Sequence, residues 1–344
     1  MRVAGLNFST MTMGFPEHPD VRIGREVARI LGVRHRVDTP ATTSATTSAP
    51  TVSVDPVRRA WNSLRLCDGM MTAYEHSAGG QRRFRPGRPA FDGVGGEMLR
   101  GGLAHGWGRR PAEQVIARVG YLLLPDPWIL TPDARRGVEL AAASWRDQVH
   151  TAPLQVLADY HRLYKVGRLA AATRNCPSLT RAMTSVLMDN AMIRVVAGRP
   201  VAELHDERVV AAALGQLNPA LQRLVFCAER WDFERDHPSG LLPEQEWADR
   251  APLPLGTGRR SGYNWRLSYG PNVAAFFRRT ILADRTHPLF DVVDWSATRN
   301  LLHADARRPK LVWNLYTAHF LLGNGWLSPT PAVGDVLTVP VPAS

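Results

Sequence analysis

The sequence predicts an α/β protein: a doubly wound parallel sheet at the front, followed by a mostly α-helical region. Three observations carry this. A strand, helix, strand pattern fills residues 8 to 37, a short strand runs into a Gly-rich turn at 89 to 102, and helix-spaced apolar residues dominate from 111 to 327. The 344 residues suggest two domains, and 44% hydrophobic content suffices for a substantial core.

Met1 to Leu6 reads as the tail of a helix. Phe8 to Gly14 alternates Phe8, Thr10 and Thr12 against Ser9, Met11 and Met13, the period of a strand. Gly14 to Pro19 is a turn by its glycine and prolines. Asp20 is the expected N-cap of a helix over 21 to 31, whose Ile23, Val27, Ile30 and Leu31 fall at helical spacing, and Gly32 supplies the stop. Val33 to Val37 is a second strand, so a right-handed βαβ crossover is expected.

Thr39 to Pro50 is low-complexity and reads as a flexible insertion. A helix is expected over 55 to 74, with Trp61, Leu64, Cys67 and Met71 on one face. Ser77 to Gly80 reads as a turn rather than a phosphate loop. Pro89 to Phe91 is a strand, and five glycines follow between Gly93 and Gly102. Glycine admits positive φ and close approach to the main chain, so such a turn suits a nucleotide at the end of a parallel strand and equally suits a plain surface loop.

Helices are expected over 145 to 150, 154 to 174, 179 to 197 and 203 to 214, with Asn218-Pro219 as a break and an irregular loop over 241 to 262. Two more follow over 272 to 283 and 287 to 303. The last, 310 to 322, carries Trp313, Tyr316, His319 and Phe320 as a packed core stripe, and 329 to 344 reads as a loose tail.

Composition narrows the function. No apolar run reaches the 18 to 20 or so residues of a spanning helix, and no basic-then-apolar leader is present, so a cytoplasmic protein without a membrane partner is expected. Cys67, Cys176 and Cys227 are scattered, which argues against a disulfide framework and a structural zinc site. The net charge is +11, but only Lys165 and Lys310 among 42 basic residues are lysine. We read that as codon usage in a GC-rich genome. The basic clusters Arg82 to Arg85 and Gly258 to Arg260 accompany no nucleic-acid motif, so a nucleic-acid partner is not expected.

The turn Ala90-Phe91-Asp92-Gly93-Val94-Gly95-Gly96-Glu97-Met98-Leu99-Arg100-Gly101-Gly102 resembles the S-G-D-G-G-D-E-L-F-G-G-Y turn of the asparagine synthetase family's synthetase domain, the N-type ATP pyrophosphatases. On that pattern Asp92 and Gly93 take the family's Ser and first Gly. Gly95 and Gly96 take its middle glycines, and Gly101 and Gly102 its closing pair. Glu97 takes the Asp that helps hold Mg²⁺ and pyrophosphate. The other two acids become Val94 and Met98. Leu31-Gly32-Val33-Arg34-His35 is similar to the family's L-G-x-x-H, which implies that the backbone at Met13 and Gly14 contacts adenine. Tyr164-Lys165-Val166-Gly167-Arg168 is similar to V-K-V-D-R, which implies that Lys165 and Arg168 act on the phosphates, with Gly167 in place of Asp. Val186-Leu187-Met188-Asp189 stands where the family reads P-F-L-D, with Ala182 and Thr184 replacing its upstream Glu and Arg.

The resemblance implies a HUP/Rossmann-like nucleotide-binding domain over 1 to 108, a helical synthetase region over 109 to 328 and a tail over 329 to 344. It implies ATP and Mg²⁺, adenylation of a small-molecule or peptide carboxylate, and attack by an amine or by ammonia from a separate protein. The family's S-G-G-x-D-S loop occurs nowhere in the sequence. We therefore expect an N-terminally truncated domain whose sheet lacks its first strand, at roughly 1 to 3 kcal/mol per buried backbone group left unpaired. Three accounts meet this expectation: a true start upstream, a decayed inactive copy, or another segment filling the gap. A non-catalytic paralogue or binding protein of the same fold is the alternative function.

Overall fold

The computed structural model describes residues 5–39, 51–67, 69–74, 89–173, 183–254, 270–304, 308–332 and 334–340. The chain divides into two compact units. The protein is α/β, with helices outweighing strands. Among the described residues the strands form three two-stranded sheets rather than one wound sheet.

The first unit comprises residues 1–52 and 202–265 with the last few residues. β1 (Ser9–Met13) and β2 (Arg34–Asp38) pair in parallel, Ser9 opposite Arg34 and Met13 opposite Asp38. Between them runs the helix Pro19–Leu31, packed on the pair through buried Val21 and Ala28, with Gly24 leaving room for Thr12. Gly32 ends the helix with φ +61°, as its place in the sequence predicts. The N-cap differs: His18, not Asp20, accepts the backbone N–H of Asp20 on its Nδ1 at 3.1 Å, because Pro19 takes the first helical position.

Later residues complete this unit. The stretch expected to be one helix over 203 to 214 is broken at Glu207, whose φ is +72°, and a new helix runs Arg208–Leu217. Asn218 then caps the short helix Pro219–Gln222, which lies against the Pro19–Leu31 helix. The loop expected over 241 to 262 contains a helix, Glu244–Asp249. It delivers Arg250 to Glu234, and the two form a buried ion pair, Glu234 wholly enclosed. The Arg250 guanidinium also donates to the Gln222 carbonyl at 2.9 Å, so three segments meet at one cation.

The second unit comprises 53–201 and 266–339. β3 (Thr51–Val54), which the sequence pattern does not reveal, pairs with β6 (Leu337–Pro340), a strand within the stretch read as a tail. The helix expected over 55 to 74 is shorter, Pro56–Leu66, capped by Asp55. Its early end leaves Met71 off the helix, where the Met71 carbonyl accepts the Ser63 hydroxyl. This helix packs on the terminal helix Pro309–Leu322. There Trp313 and Tyr316 are buried against Phe277, with ring centroids 4.7 and 5.1 Å away, which bears out these two of the stripe as core, whereas His319 and Phe320 are half-buried. The expected helix 287 to 303 is a 3₁₀ turn, Pro288–Asp291, followed by Trp295–His303 with Asp294 as N-cap.

A second core, formed by Ala104, Val115, Val119, Val149, Val156 and Leu157, lies among the helices Ala112–Leu123, Ala143–Val149 and Pro153–Tyr160. The chain runs on from Tyr160 as a ten-residue π-helix, His161–Ala170. Runs of that length are rare, and shorter ones cluster at functional sites. β4 (Ala90–Phe91) pairs in parallel with β5 (Met183–Thr184). The helix expected over 179 to 197 is replaced here. Ser185 enters a 3₁₀ turn, Val186–Met188, and Asp189 caps a helix that starts only at Asn190. An Asp whose carboxylate accepts the Ala191 N–H is a better helix start than a helix interior residue. Residues 1–4, 40–50, 75–88 and 174–182, on which several sequence expectations fall, lie outside the described residues.

Candidate functional site

The Gly-rich turn sits at the end of β4 in the second unit. The Asp92 N–H donates to the Thr184 carbonyl at 3.3 Å and extends the β4–β5 pairing. The Asp92 carboxylate accepts the Val94 N–H at 3.2 Å and the Ser185 hydroxyl through the same oxygen. An Asp whose carboxylate accepts the N–H two residues on closes a local turn of its own. Gly96 N–H donates to the Gly93 carbonyl at 3.0 Å, and a 3₁₀ helix runs Gly96–Arg100.

The glycines serve different ends. Gly95 has φ +94°, and a Cβ there would lie 2.8 Å from the Leu187 carbonyl oxygen. Gly102 has φ +60°, and its Cβ would meet the His161 ring at 2.5 Å. A Cβ on Gly96 would touch Leu187 at 3.2 Å. All three face protein, and at Gly95 and Gly102 the lack of a side chain is set by close packing and positive φ. Gly93, by contrast, faces open space, with nothing within 4 Å of a Cβ.

The turn's acid meets the π-helix. Lys165 Nζ lies 3.4 Å from Glu97 Oε1, and both side chains are about half exposed. Three residues on, the Arg168 guanidinium lies over the Tyr164 ring, 4.7 Å from its centroid. Beneath them His161 is 1% exposed, and neither ring nitrogen has a hydrogen-bond partner among the described residues. Burial pushes the His161 pKa down to about 4. The Lys165 charge pushes it the same way, against a smaller opposing pull from Glu97. His161 is therefore a neutral imidazole at neutral pH.

Asp92, Gly93, Gly95, Gly96, Glu97, Lys165 and Arg168 thus all belong to the second unit, and Glu97 and Lys165 are in contact. Met13 and Gly14 belong to the first unit. There Met13 ends β1, and Gly14, φ +149°, donates its N–H to the Asp38 carbonyl at 3.1 Å. A Cβ on Gly14 would lie 3.0 Å from a Val21 methyl, and the stricter demand for glycine here is its φ. His161 and Ser185 are the residues that sequence reasoning missed. His161 stands four before Lys165, but nothing local signals that its ring is enclosed. Ser185 is placed by a strand pairing that no short-range pattern announces.

Among the described residues no three His, Cys, Asp or Glu side chains group to hold a metal ion, and no helix is long and apolar enough to cross a membrane. Mg²⁺ commonly takes one or two carboxylates and completes its shell with water and substrate phosphate. Glu97 offers one half-exposed carboxylate, itself 3.4 Å from the Lys165 ammonium, so it would meet a Mg²⁺ carried mainly by phosphate oxygens rather than one caged by protein. Comparison with protein-family models, curated proteins and solved structures finds no match to this chain.

Proposed function

We propose that the chain is an asparagine synthetase-like, ATP-dependent amide-forming ligase domain, its activity impaired by the absent S-G-G-x-D-S loop. The carrying observation is a convergence. Three segments that resemble the family separately along the sequence are neighbours in one unit: Asp92 bonds Ser185, Gly95 packs on Leu187, and Glu97 contacts Lys165. The finer fold of this reading is HUP/Rossmann-like, and within the second unit the parallel pairing of β4 with β5, which leads into the turn, supports it.

On this reading the Gly93 side of the turn admits the phosphates of ATP. Glu97 holds the Mg²⁺, which supplies charge neutralisation on the phosphates. Lys165 and Arg168 oppose the negative charge that builds on departing pyrophosphate as the substrate carboxylate takes the adenylyl group. Asp92, held by Val94 and Ser185, sets the shape of the turn. The acyl group then passes to an amine, or to ammonia supplied by a separate protein. The carboxylate is a small molecule or a peptide, and the setting is the cytoplasm.

A non-catalytic paralogue of the same fold is the second reading. It is favoured by the lack of any S-G-G-x-D-S string in the 344 residues. ATP–pyrophosphate exchange separates the two, assayed with a panel of amino-acid and peptide carboxylates on this chain and on a version extended upstream. Exchange that Lys165→Ala lowers about 100-fold supports the ligase. No exchange in either form refutes it.

A further inference from the structure

We infer that Tyr164 is a positioning residue that holds the Arg168 guanidinium ready for a phosphate oxyanion; the inference rests on the ligase reading above. Arg168 is exposed at the surface of the π-helix and makes no ion pair with a carboxylate among the described residues. Residue 167 is glycine, so the neighbour in sequence offers no side chain to steady it. The contact Arg168 does make is with the ring of Tyr164, 4.7 Å from its centroid, inside the roughly 6 Å reach of a cation–π interaction.

The ring is itself held in place. Tyr164 stacks on Tyr160 with centroids 4.8 Å apart and planes at 29°, and Trp145 leans on it at 5.9 Å. Tyr160 is anchored by its hydroxyl, which donates to the Leu122 carbonyl at 3.3 Å, and by an edge contact to Trp145 at 6.1 Å. Trp145 packs on the buried cluster around Val115 and Val149. A chain of rings thus runs from the core to the guanidinium. Beside the ring the guanidinium commits none of its N–H donors to a carboxylate among the described residues, which leaves them for an oxyanion. A free arginine would lose its rotamer freedom on binding phosphate, whereas this one has lost much of it beforehand.

The test is calorimetric titration with magnesium pyrophosphate of the wild type, Tyr164→Phe, Tyr164→Leu, Arg168→Gln and the Tyr164→Leu/Arg168→Gln double variant. Tyr164→Leu is expected to weaken binding about three- to fivefold, Tyr164→Phe to stay near wild type, and the double variant to bind no worse than Arg168→Gln alone. Wild-type binding that is indifferent to Tyr164→Leu, or losses that simply add in the double variant, overturn the inference and leave the ligase reading standing. Failure of the wild type to bind pyrophosphate overturns both. Should Tyr164→Leu not fold, the wild type's Arg168 side-chain proton shifts decide: an upfield ring-current shift supports the contact, and ordinary shifts overturn it.

Discussion

Replacing His161 with leucine removes a titrating group from the interior of the second unit, and the consequence can be worked through. The imidazole titrates at about 4 in the folded chain against an ordinary 6.5. The groups that act on it are Lys165, which favours the neutral ring, and Glu97, which opposes this more weakly. Because the folded value lies below the unfolded one, the unfolded chain binds more protons through this window, and stability falls as the solution is acidified. The contribution is complete above pH 6.5 and is lost between 6.5 and 4. A difference of about 2.5 pK units corresponds to roughly 3 kcal/mol, of which about 2 kcal/mol is gone by pH 5. Urea unfolding of both proteins at pH 7, 6 and 5 measures this directly. The wild type should lose about 2 kcal/mol more than His161→Leu on going from pH 7 to 5. At pH 7 the leucine variant should match or exceed the wild type, since it also removes two buried ring nitrogens that lack partners. Parallel stability curves for the two proteins would refute the reasoning.

Two further outcomes are expected. Gly95→Ala should cost about 2 kcal/mol or more, because its φ of +94° and the Leu187 carbonyl 2.8 Å from the new Cβ both oppose a side chain. Gly93→Ala, with open space around it, should change stability by less than about 1 kcal/mol. Thermal melts of the pair test the contrast, and equal losses would contradict the placement of the turn. Arg250→Met should cost about 3 to 5 kcal/mol by leaving Glu234 buried without its cation, and that loss should shrink in the Arg250→Met/Glu234→Leu double variant.

The elements legible in the sequence are those decided by neighbours in the chain. β1, the following helix and β2 follow from alternation, helical spacing and a glycine at residue 32, and all three stand within two residues of expectation apart from the cap. The stripe of Trp313, Tyr316 and Phe320 follows likewise from helical period. What the sequence concealed is decided at a distance. Met183–Thr184 becomes a strand because Ala90–Phe91 lies beside it, so helix spacing over 179 to 197 misleads. The π-helix His161–Ala170 carries an ordinary helical pattern, and nothing in its composition announces the wider turn. The site divides the same way. Glu97 and Lys165, both singled out in the sequence, lie 68 positions apart and are in contact, whereas His161 and Ser185 emerge only once the turn has been folded against them.

The first unit is assembled from the two sides of the other, and this sets an order of events at the ribosome. β1, its helix and β2 leave the exit tunnel early, yet the Pro219–Gln222 helix that lies against them is about 180 residues further on. At bacterial or eukaryotic synthesis rates of roughly 5–20 residues per second, the opening segment waits about ten to forty seconds for that cover. During the interval the helix Pro19–Leu31 lacks the later helix it packs against, a state in which nascent chains invite chaperones or each other. Slowing translation should therefore lower the soluble yield of this chain more than slowing its refolding after release.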